Sequence, residues 1–522
     1  MKRINQFAAS AALLAASAGP VLAQEAEGLD ARVNAAFAAA TGPFVGFIFA
    51  PLPFNVMGQP FPWIVMWLVI GAAVFTLYFA FVQFRFFNHA IALVKGDYSD
   101  PNDAGEVSHF QALATALSGT VGLGNIAGVA VAVGIGGPGA TFWMILAGLL
   151  GMASKFTECT LGVKYRNEYP DGTVSGGPMY YISKGFTELG LPGGKILAVL
   201  FSVFCILGAL GGGNMFQANQ AHAQIQGVLG FEFSGLITGF IFAAIVFVVI
   251  VGGVKSIASV TEKVVPFMGI LYVGAALIIL IVNYDKIGWA FGQIFGGAFT
   301  GLGVAGGMVG ALIQGFKRAA FSNEAGVGSA AIAHSAVKTK EPITEGFVSL
   351  LEPLIDTVII CTMTALVITI SGQLIIDPET GNYMLNEAGS AIATVDGNGG
   401  VALTSAAFAS GISWFPYVLA IAVVLFAFST MISWSYYGLK AWTYLFGEGK
   451  TSELVFKLIF CVFIVIGAAA SLGPVIDFSD AAIFAMAVVN IFCLYFLMKL
   501  VKAELASYSA RLSSGEIKKF TH

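Results

Sequence analysis

The sequence predicts an all-α polytopic membrane protein, with about 11 transmembrane helices in a 5+5 inverted repeat with two broken helices. Three observations predict it. Only 10% of the 522 residues are charged and 57% are hydrophobic, whereas soluble domains carry about 25% charged residues. Apolar stretches near the ~20 residues needed to cross a bilayer recur along the chain. Two of these stretches are interrupted by glycine, asparagine and serine, at corresponding places in the two halves.

Residues 1–23 read as a secretory signal peptide. Lys2 and Arg3 form a charged start, 7–16 an apolar run and Val21-Leu22-Ala23 a cleavage site. Such a signal fits a bacterial inner membrane; an uncleaved interfacial helix is the alternative. Residues 24–60, with Pro51, Pro53 and Pro60, read as an extracytoplasmic arm. Residues 61–86 form an extra first transmembrane helix, spanning 63–84. Arg85, Lys95 and an acidic loop with Asp97, Asp100, Asp103 and Glu106 follow.

The first repeat is 107–283. It opens with the broken span 110–135 and continues with spans at 139–163, 196–218, 236–251 and 265–282, with a loop at 167–194. The second repeat is 300–500. It opens with the broken segment 301–333 and continues with spans at 347–370, 414–442, 454–472 and 476–498. A loop holding Asp377, Glu379, Glu387 and Asp396 contains no lysine or arginine, and 501–522 is a cytoplasmic tail. Basic residues gather at alternate loops and at the C-terminus. The positive-inside rule then puts the N-terminus outside and the C-terminus in the cytoplasm. An odd number of spans per repeat inverts the second against the first, which points to a site at the midplane between the two breaks.

The first break is the run from Ser118 to Gly128, with four glycines, three of them within seven residues, two small hydroxyls and Asn125. Glycine costs a helix roughly 1 kcal/mol relative to alanine, and freed backbone groups at membrane depth survive only in protein or along a cavity. Freed N–H groups suit a carboxylate, and freed carbonyls suit a small cation. The second break is Phe321-Ser322-Asn323-Glu324-Ala325-Gly326-Val327-Gly328-Ser329.

These two runs, with Gly136-Gly137-Pro138-Gly139-Ala140-Thr141-Phe142-Trp143-Met144, resemble the sodium:alanine symporter family (alanine-or-glycine:cation symporters). The resemblance covers roughly 107 to the C-terminus; Ile145 departs from the family's usual Trp. Val121 to Asn125 also resembles the unwound first core helix of the neurotransmitter:sodium symporters. What the resemblance implies is a leucine-transporter-like inverted repeat and sodium-coupled symport of small neutral amino acids (alanine, glycine) into the cell by alternating access. The alternative is a proton-coupled or broader-specificity neutral amino acid transporter.

Site roles follow. The N–H groups of Leu123 and Gly124 are expected to bind the substrate carboxylate. Carbonyls of Ser118 and Val121, with the hydroxyls of Ser429 and Thr430, are expected to bind sodium; hydrogen bonding of the two hydroxyls to their own helix is the alternative. The Asn125 amide oxygen suits a second sodium or the substrate amine. Asn214 and Gln217, three apart, are expected to share a face, Gln217 toward the substrate, with helix-to-helix bonding as the competing role. By resemblance, Thr430, Met431 and Trp434 face the substrate, and Phe316 and Ala320 wall its side chain. Glu324 has two readings, a proton or cation relay or a structural pair with Lys317 or Arg318, and the pair is favoured. Glu158, Glu352 and Asp356 are further intramembrane acids that could join it. His222 and His334 receive no role.

Other classes fit less well. The five cysteines are scattered singly, so no metal cluster or disulfide framework is predicted. No cofactor is expected beyond sodium as the coupling ion, and the expected partners are a small neutral amino acid, sodium and the lipid bilayer. There is no nucleic-acid motif and no ATP-binding loop. An enzyme would need a catalytic cluster, and a channel a repeated pore-lining ring.

Overall fold

A computed structural model describes residues 32, 34–100, 103–170, 172–300, 307–376, 383–384, 391–394 and 400–519. The expected leader at 1–23, positions 301–306 at the start of the second broken segment, and Asp377, Glu379, Glu387 and Asp396 lie outside the described residues.

Among the described residues seven helices are long and apolar enough to cross a membrane: Gly139–Lys164, Gly194–Leu229, Gly253–Val282, Pro342–Ile370, Phe415–Phe446, Lys450–Ala469 and Leu472–Ser513. An eighth is counted when His109–Thr120 and Gly124–Gly136, bent by 50° at their junction, are taken as one span. Trp63–Tyr78 and Gly235–Ile250 are apolar but have 16 residues each, roughly 24 Å of helix against a ~30 Å hydrocarbon core. Large apolar side chains on the outside, such as Ile196, Phe240, Val248 and Ile270, form a surface suited to lipid rather than water.

Local chemistry sets the broken elements. Ser108 caps His109–Thr120 in a capping box with Gln111. Gly122 follows the end of that helix because of a close approach: a Cβ there would lie 2.4 Å from the hydroxyl of Thr430. In the second break the helix Gly307–Asn323 stops at Glu324, a non-glycine residue with φ of 56°. The chain resumes as Ala330–His334. The far ends of the two broken elements are tied together. Val107 and Val337 form a parallel bridge, with Lys338 N–H donating to the Val107 carbonyl at 2.8 Å.

Several elements differ from the expected ones. The loop at 167–194 contains the helix Pro178–Glu188 and a small antiparallel pair, Asn167–Glu168 with Val174–Ser175. The span expected at 265–282 begins twelve residues earlier, at Gly253; its charged first turns project past the apolar part, where Glu262 accepts a hydrogen bond from Gln111. Tyr284–Thr300 and Val401–Gly411 are helices between expected spans. Three π-helical turns, Gly211–Met215, Gly124–Gly128 and Leu354–Cys361, interrupt otherwise α-helical segments. Each widens a turn by one residue, a feature often found at functional positions.

Candidate functional site

The two breaks meet in the buried interior. Gly124 of the first faces Ser322 of the second, close enough that a Cβ on Gly124 would sit 3.3 Å from the Ser322 Cα. Asn125 organises the first break. Its amide oxygen accepts the Gly122 N–H at 2.9 Å. Its amide nitrogen donates to Asp356, at 2.7 Å to the carboxylate and 3.0 Å to the carbonyl. Asp356 also accepts from Ser322 at 2.9 Å and from Thr357 at 2.6 Å. It is fully buried and makes no ion pair among the described residues. A buried carboxylate surrounded by neutral donors, next to an amide oxygen, is a hard-oxygen environment suited to a cation such as sodium.

A second group of oxygens lies beside the first half-helix. The Thr430 hydroxyl donates to the Ser118 carbonyl at 3.0 Å. The Ser118 and Ser433 hydroxyls hydrogen-bond each other, and Ser433 donates to the Thr115 carbonyl at 3.2 Å. Ser429 instead donates to Phe426 in its own helix at 3.0 Å, next to the Met268 sulfur. Thr430 and Ser118 are therefore brought together, Ser433 joins them, and Ser429 turns away. Val121 is buried at the end of the same half-helix.

A narrow cavity of about 10 Å³ lies between the breaks, lined by Gly119, Thr120, Gly124, Gly212, Gln217, Phe321, Glu324, Trp434 and Ile483. Three of the predicted substrate contacts line it, Gly124, Gln217 and Trp434, and Glu324, expected as a structural or relay charge, joins them from the opposite break. Leu123 does not offer a free N–H, which is a correction to the expected carboxylate site. Its N–H donates to the Gln217 side-chain oxygen at 3.1 Å, and Gln217 donates to the Gly212 carbonyl at 2.9 Å. Met431, Phe316 and Ala320 are buried in the core without lining the cavity; the neighbouring Phe321 takes the wall position.

Asn214 and Gln217 do not act on one face. The π turn Gly211–Met215 precedes Gln217, and Asn214 donates across to the Phe460 carbonyl at 2.7 Å. Spacing rules for an α-helix fail across a π turn because the turn is wider.

The favoured pairing of Glu324 with Lys317 or Arg318 is also corrected. Both basic side chains pair with Asp480, Lys317 at 3.5 Å and Arg318 in direct contact. Glu324 accepts from the Trp434 indole at 3.0 Å and from the Ser329 hydroxyl. The left-handed backbone at Glu324 turns its carboxylate back toward the cavity rather than along the face of Lys317 and Arg318.

His334, to which no role was given, bonds carboxylates through both ring nitrogens, Glu345 at 2.8 Å and Glu352 at 2.6 Å. No periodicity could pair these residues, because the chain turns between them; His222 bonds the Thr238 hydroxyl at 2.9 Å. Cys159, His334 and Glu352 converge, but the Lys155 ammonium, 3.3 Å from Glu352, already supplies the cation there.

Residues 53–522 match the model of the sodium:alanine symporter family. The "Sodium/alanine symporter AgcS" of Methanococcus maripaludis is 40% identical over 444 residues, covering 85% of this chain and 93% of its own. The "Probable sodium/glutamine symporter GlnT" of Bacillus subtilis is 32% identical, covering 85% and 87%. Among solved structures, MhsT in complex with L-phenylalanine aligns with a TM-score of 0.50 at 16% identity, over 74% of this chain and 89% of that one.

Proposed function

The chain belongs to the sodium:alanine symporter family, and on that premise we propose that it carries small neutral amino acids, alanine and glycine first, into the cell with sodium by alternating access. Its family makes it a cation-coupled amino-acid transporter rather than an enzyme, and its helices make it a multi-pass membrane protein. The finer reading has about 11 spans in a 5+5 inverted repeat, in a bacterial inner membrane with the C-terminus cytoplasmic. The alternation of basic loops supports that orientation.

One observation carries the cation half of the reading: Asp356, buried with Asn125 against the first break and without an ion pair among the described residues. An uncompensated buried carboxylate is costly. A sodium ion taking Asp356 and the Asn125 oxygen as ligands would neutralise it and fix the first break for substrate. The Ser118 carbonyl with the Thr430 hydroxyl is the second candidate position. Substrate would sit in the cavity with its carboxylate toward Gly124 and its side chain toward Phe321 and Ile483. Trp434 closes the space, which favours small side chains. The glutamine named for one relative is a larger side chain and belongs in the test.

Purified protein in proteoliposomes decides the matter. Labelled alanine is expected to accumulate only when sodium is higher outside, and unlabelled glycine to compete better than glutamine. Accumulation indifferent to sodium would remove the coupling assignment; stronger competition by glutamine would remove the size assignment.

A further inference from the structure

After the helix Leu472–Ser513 the chain turns back on itself. Gly515 takes the left-handed backbone, with φ of 76°, and the N–H groups of Glu516 and Ile517 donate to the Arg511 carbonyl at 3.0 and 3.3 Å. A glycine stop of this kind ends a helix and redirects the chain. The segment 514–519 then lies across the loops that lead into and out of the two broken elements. Lys519 reaches Asp97 at 2.6 Å, ahead of His109, where the first broken helix begins. Its ammonium also lies 5.9 Å from the centre of the Tyr98 ring. Arg511, at the root of the tail, holds Glu341 through two bonds of 2.7 and 2.6 Å, beyond His334, where the second broken element ends. Ile517 packs part-buried against the core. Beneath the tail is a cavity of about 310 Å³, bordered by Tyr98, Asp103, Thr344, Tyr508, Glu516 and Lys518. The tail is thus pinned at a few points rather than packed along its length.

What these points join gives them a role. The loops at 97–107 and 335–341 are already tied to each other. Glu106 N–H donates to the Ala336 carbonyl at 2.7 Å, and the buried Arg166 donates to the carbonyls of Ala104, Val337 and Thr339 at 2.8, 2.6 and 3.1 Å. The tail adds a third element to that joint, the helix Leu472–Ser513. The same three elements wall the cavity between the breaks: Gly124 comes from the first, Phe321 and Glu324 from the second, and Ile483 from Leu472–Ser513. Parting Leu472–Ser513 from the broken elements opens that cavity toward the face of the tail, and the tail spans the parting.

The fastening is solvated. Lys519 and Asp97 are 61% and 32% exposed, Arg511 and Glu341 31% and 22%. Pairs of this kind shift an equilibrium by no more than about 5-fold each. Salt screens them, because the Debye length falls from about 10 Å at 0.1 M to about 3 Å at 1 M, whereas buried bonds such as those of Arg166 are screened much less. Salt therefore frees the tail before it loosens the joint between the broken elements. We propose that the segment 514–519 is a brake, fastened through Arg511 and Lys519, that holds the cavity shut on its own face and is released by rising ionic strength. This rests on the reading of the chain as an alternating-access transporter. Each transport cycle opens that face once, so a fastened tail slows uptake without touching the cavity.

The test measures initial rates of sodium-driven alanine uptake by the full-length protein in proteoliposomes. Choline chloride is raised equally inside and outside, from about 0.1 M to 1 M ionic strength, with sorbitol as the osmotic control. The wild type is expected to speed up about 3-fold or more with choline chloride and not with sorbitol. Arg511→Gln with Lys519→Gln is expected to start at the higher rate and to change by less than about 1.5-fold. Arg511→Lys with Lys519→Arg keeps both charges and is expected to follow the wild type. A wild-type rate that choline chloride leaves unmoved would overturn the brake and leave the transport reading standing. So would a glutamine pair that is no faster than wild type at low salt, or a charge-keeping pair that behaves like the glutamine pair. Should the glutamine pair fail to fold, Lys519→Gln alone, at a mostly exposed position, takes its place with an expected rate between the two. No sodium-driven uptake of alanine or glycine at any salt would remove both readings.

Discussion

Asn125 does two things that alanine cannot. It holds the Gly122 N–H and it donates twice to Asp356. Asn125→Ala leaves a buried carboxylate short of a donor, a loss of about 1–3 kcal/mol. The sodium concentration for half-maximal uptake should rise about 10-fold, since ~1.4 kcal/mol is tenfold in binding; an unchanged sodium curve would show that the amide serves only the fold. The two hydroxyls expected to act together should separate. Thr430→Ala should raise the sodium requirement, whereas Ser429→Ala, whose hydroxyl bonds its own helix, should leave it within about 2-fold. Glu324 offers a different contrast, because its left-handed backbone costs about 1–3 kcal/mol in a non-glycine residue. Glu324→Gly should relieve that strain and keep the melting temperature, yet lose uptake. Glu324→Ala should lose both. Equal melting temperatures for the two variants would refute the strain. At this scale the sequence told much about the breaks themselves: the glycines, Asn125 and Glu324 were visible as polar or helix-breaking residues in apolar spans. Their partners were not. Asp356 is 231 positions from Asn125, and Arg318 is 162 from Asp480; one chain's local pattern does not encode which distant side chain it will meet.

At the scale of elements, long apolar runs and Gly-rich interruptions were legible because they depend on local composition. The π turns were not, since one extra residue in a turn leaves no periodic mark. Amphipathic helices such as Pro178–Glu188 and Tyr284–Thr300 were missed because they fall short of a bilayer's worth of apolar residues. The turn Gly211–Met215 shows how tightly these elements are fitted. A Cβ on Gly213 would lie 2.1 Å from the Trp434 ring, against side chain rather than open space. Gly213→Ala must push Trp434 from its bonds to Glu324 and the Gly119 carbonyl. Overpacking of this kind costs about 1–3 kcal/mol. Both the melting temperature in detergent and alanine affinity should fall; a variant matching wild type in both would show that the ring has room to retreat.

The whole molecule has ion pairs near its two ends, held very differently. Asp480 is buried with Arg318 and also pairs with the half-buried Lys317, whereas Arg511 and Glu341 meet part-exposed through two bonds of 2.7 and 2.6 Å. Asp480→Asn should destabilise by about 3–5 kcal/mol, because it leaves the buried Arg318 uncompensated. Arg511→Ala should cost no more than about 1 kcal/mol, the usual worth of a solvated pair. Thermal melts of the two variants would check the difference, and equal losses would refute it. Yet Asp480 and Arg511 belong to the same uninterrupted helix, Leu472–Ser513. Thirty-one residues separate them, about 47 Å of rod at 1.5 Å per residue. Pivoted at its middle, such a rod moves each end about 2 Å for a tilt of only ~5°, and the ends move in opposite directions. A contact of 2.6 Å at one end and one of 3.5 Å at the other are thus mounted on a single lever. Neither end can swing without displacing the other, so the two faces of the protein are geared together by the stiffness of one helix.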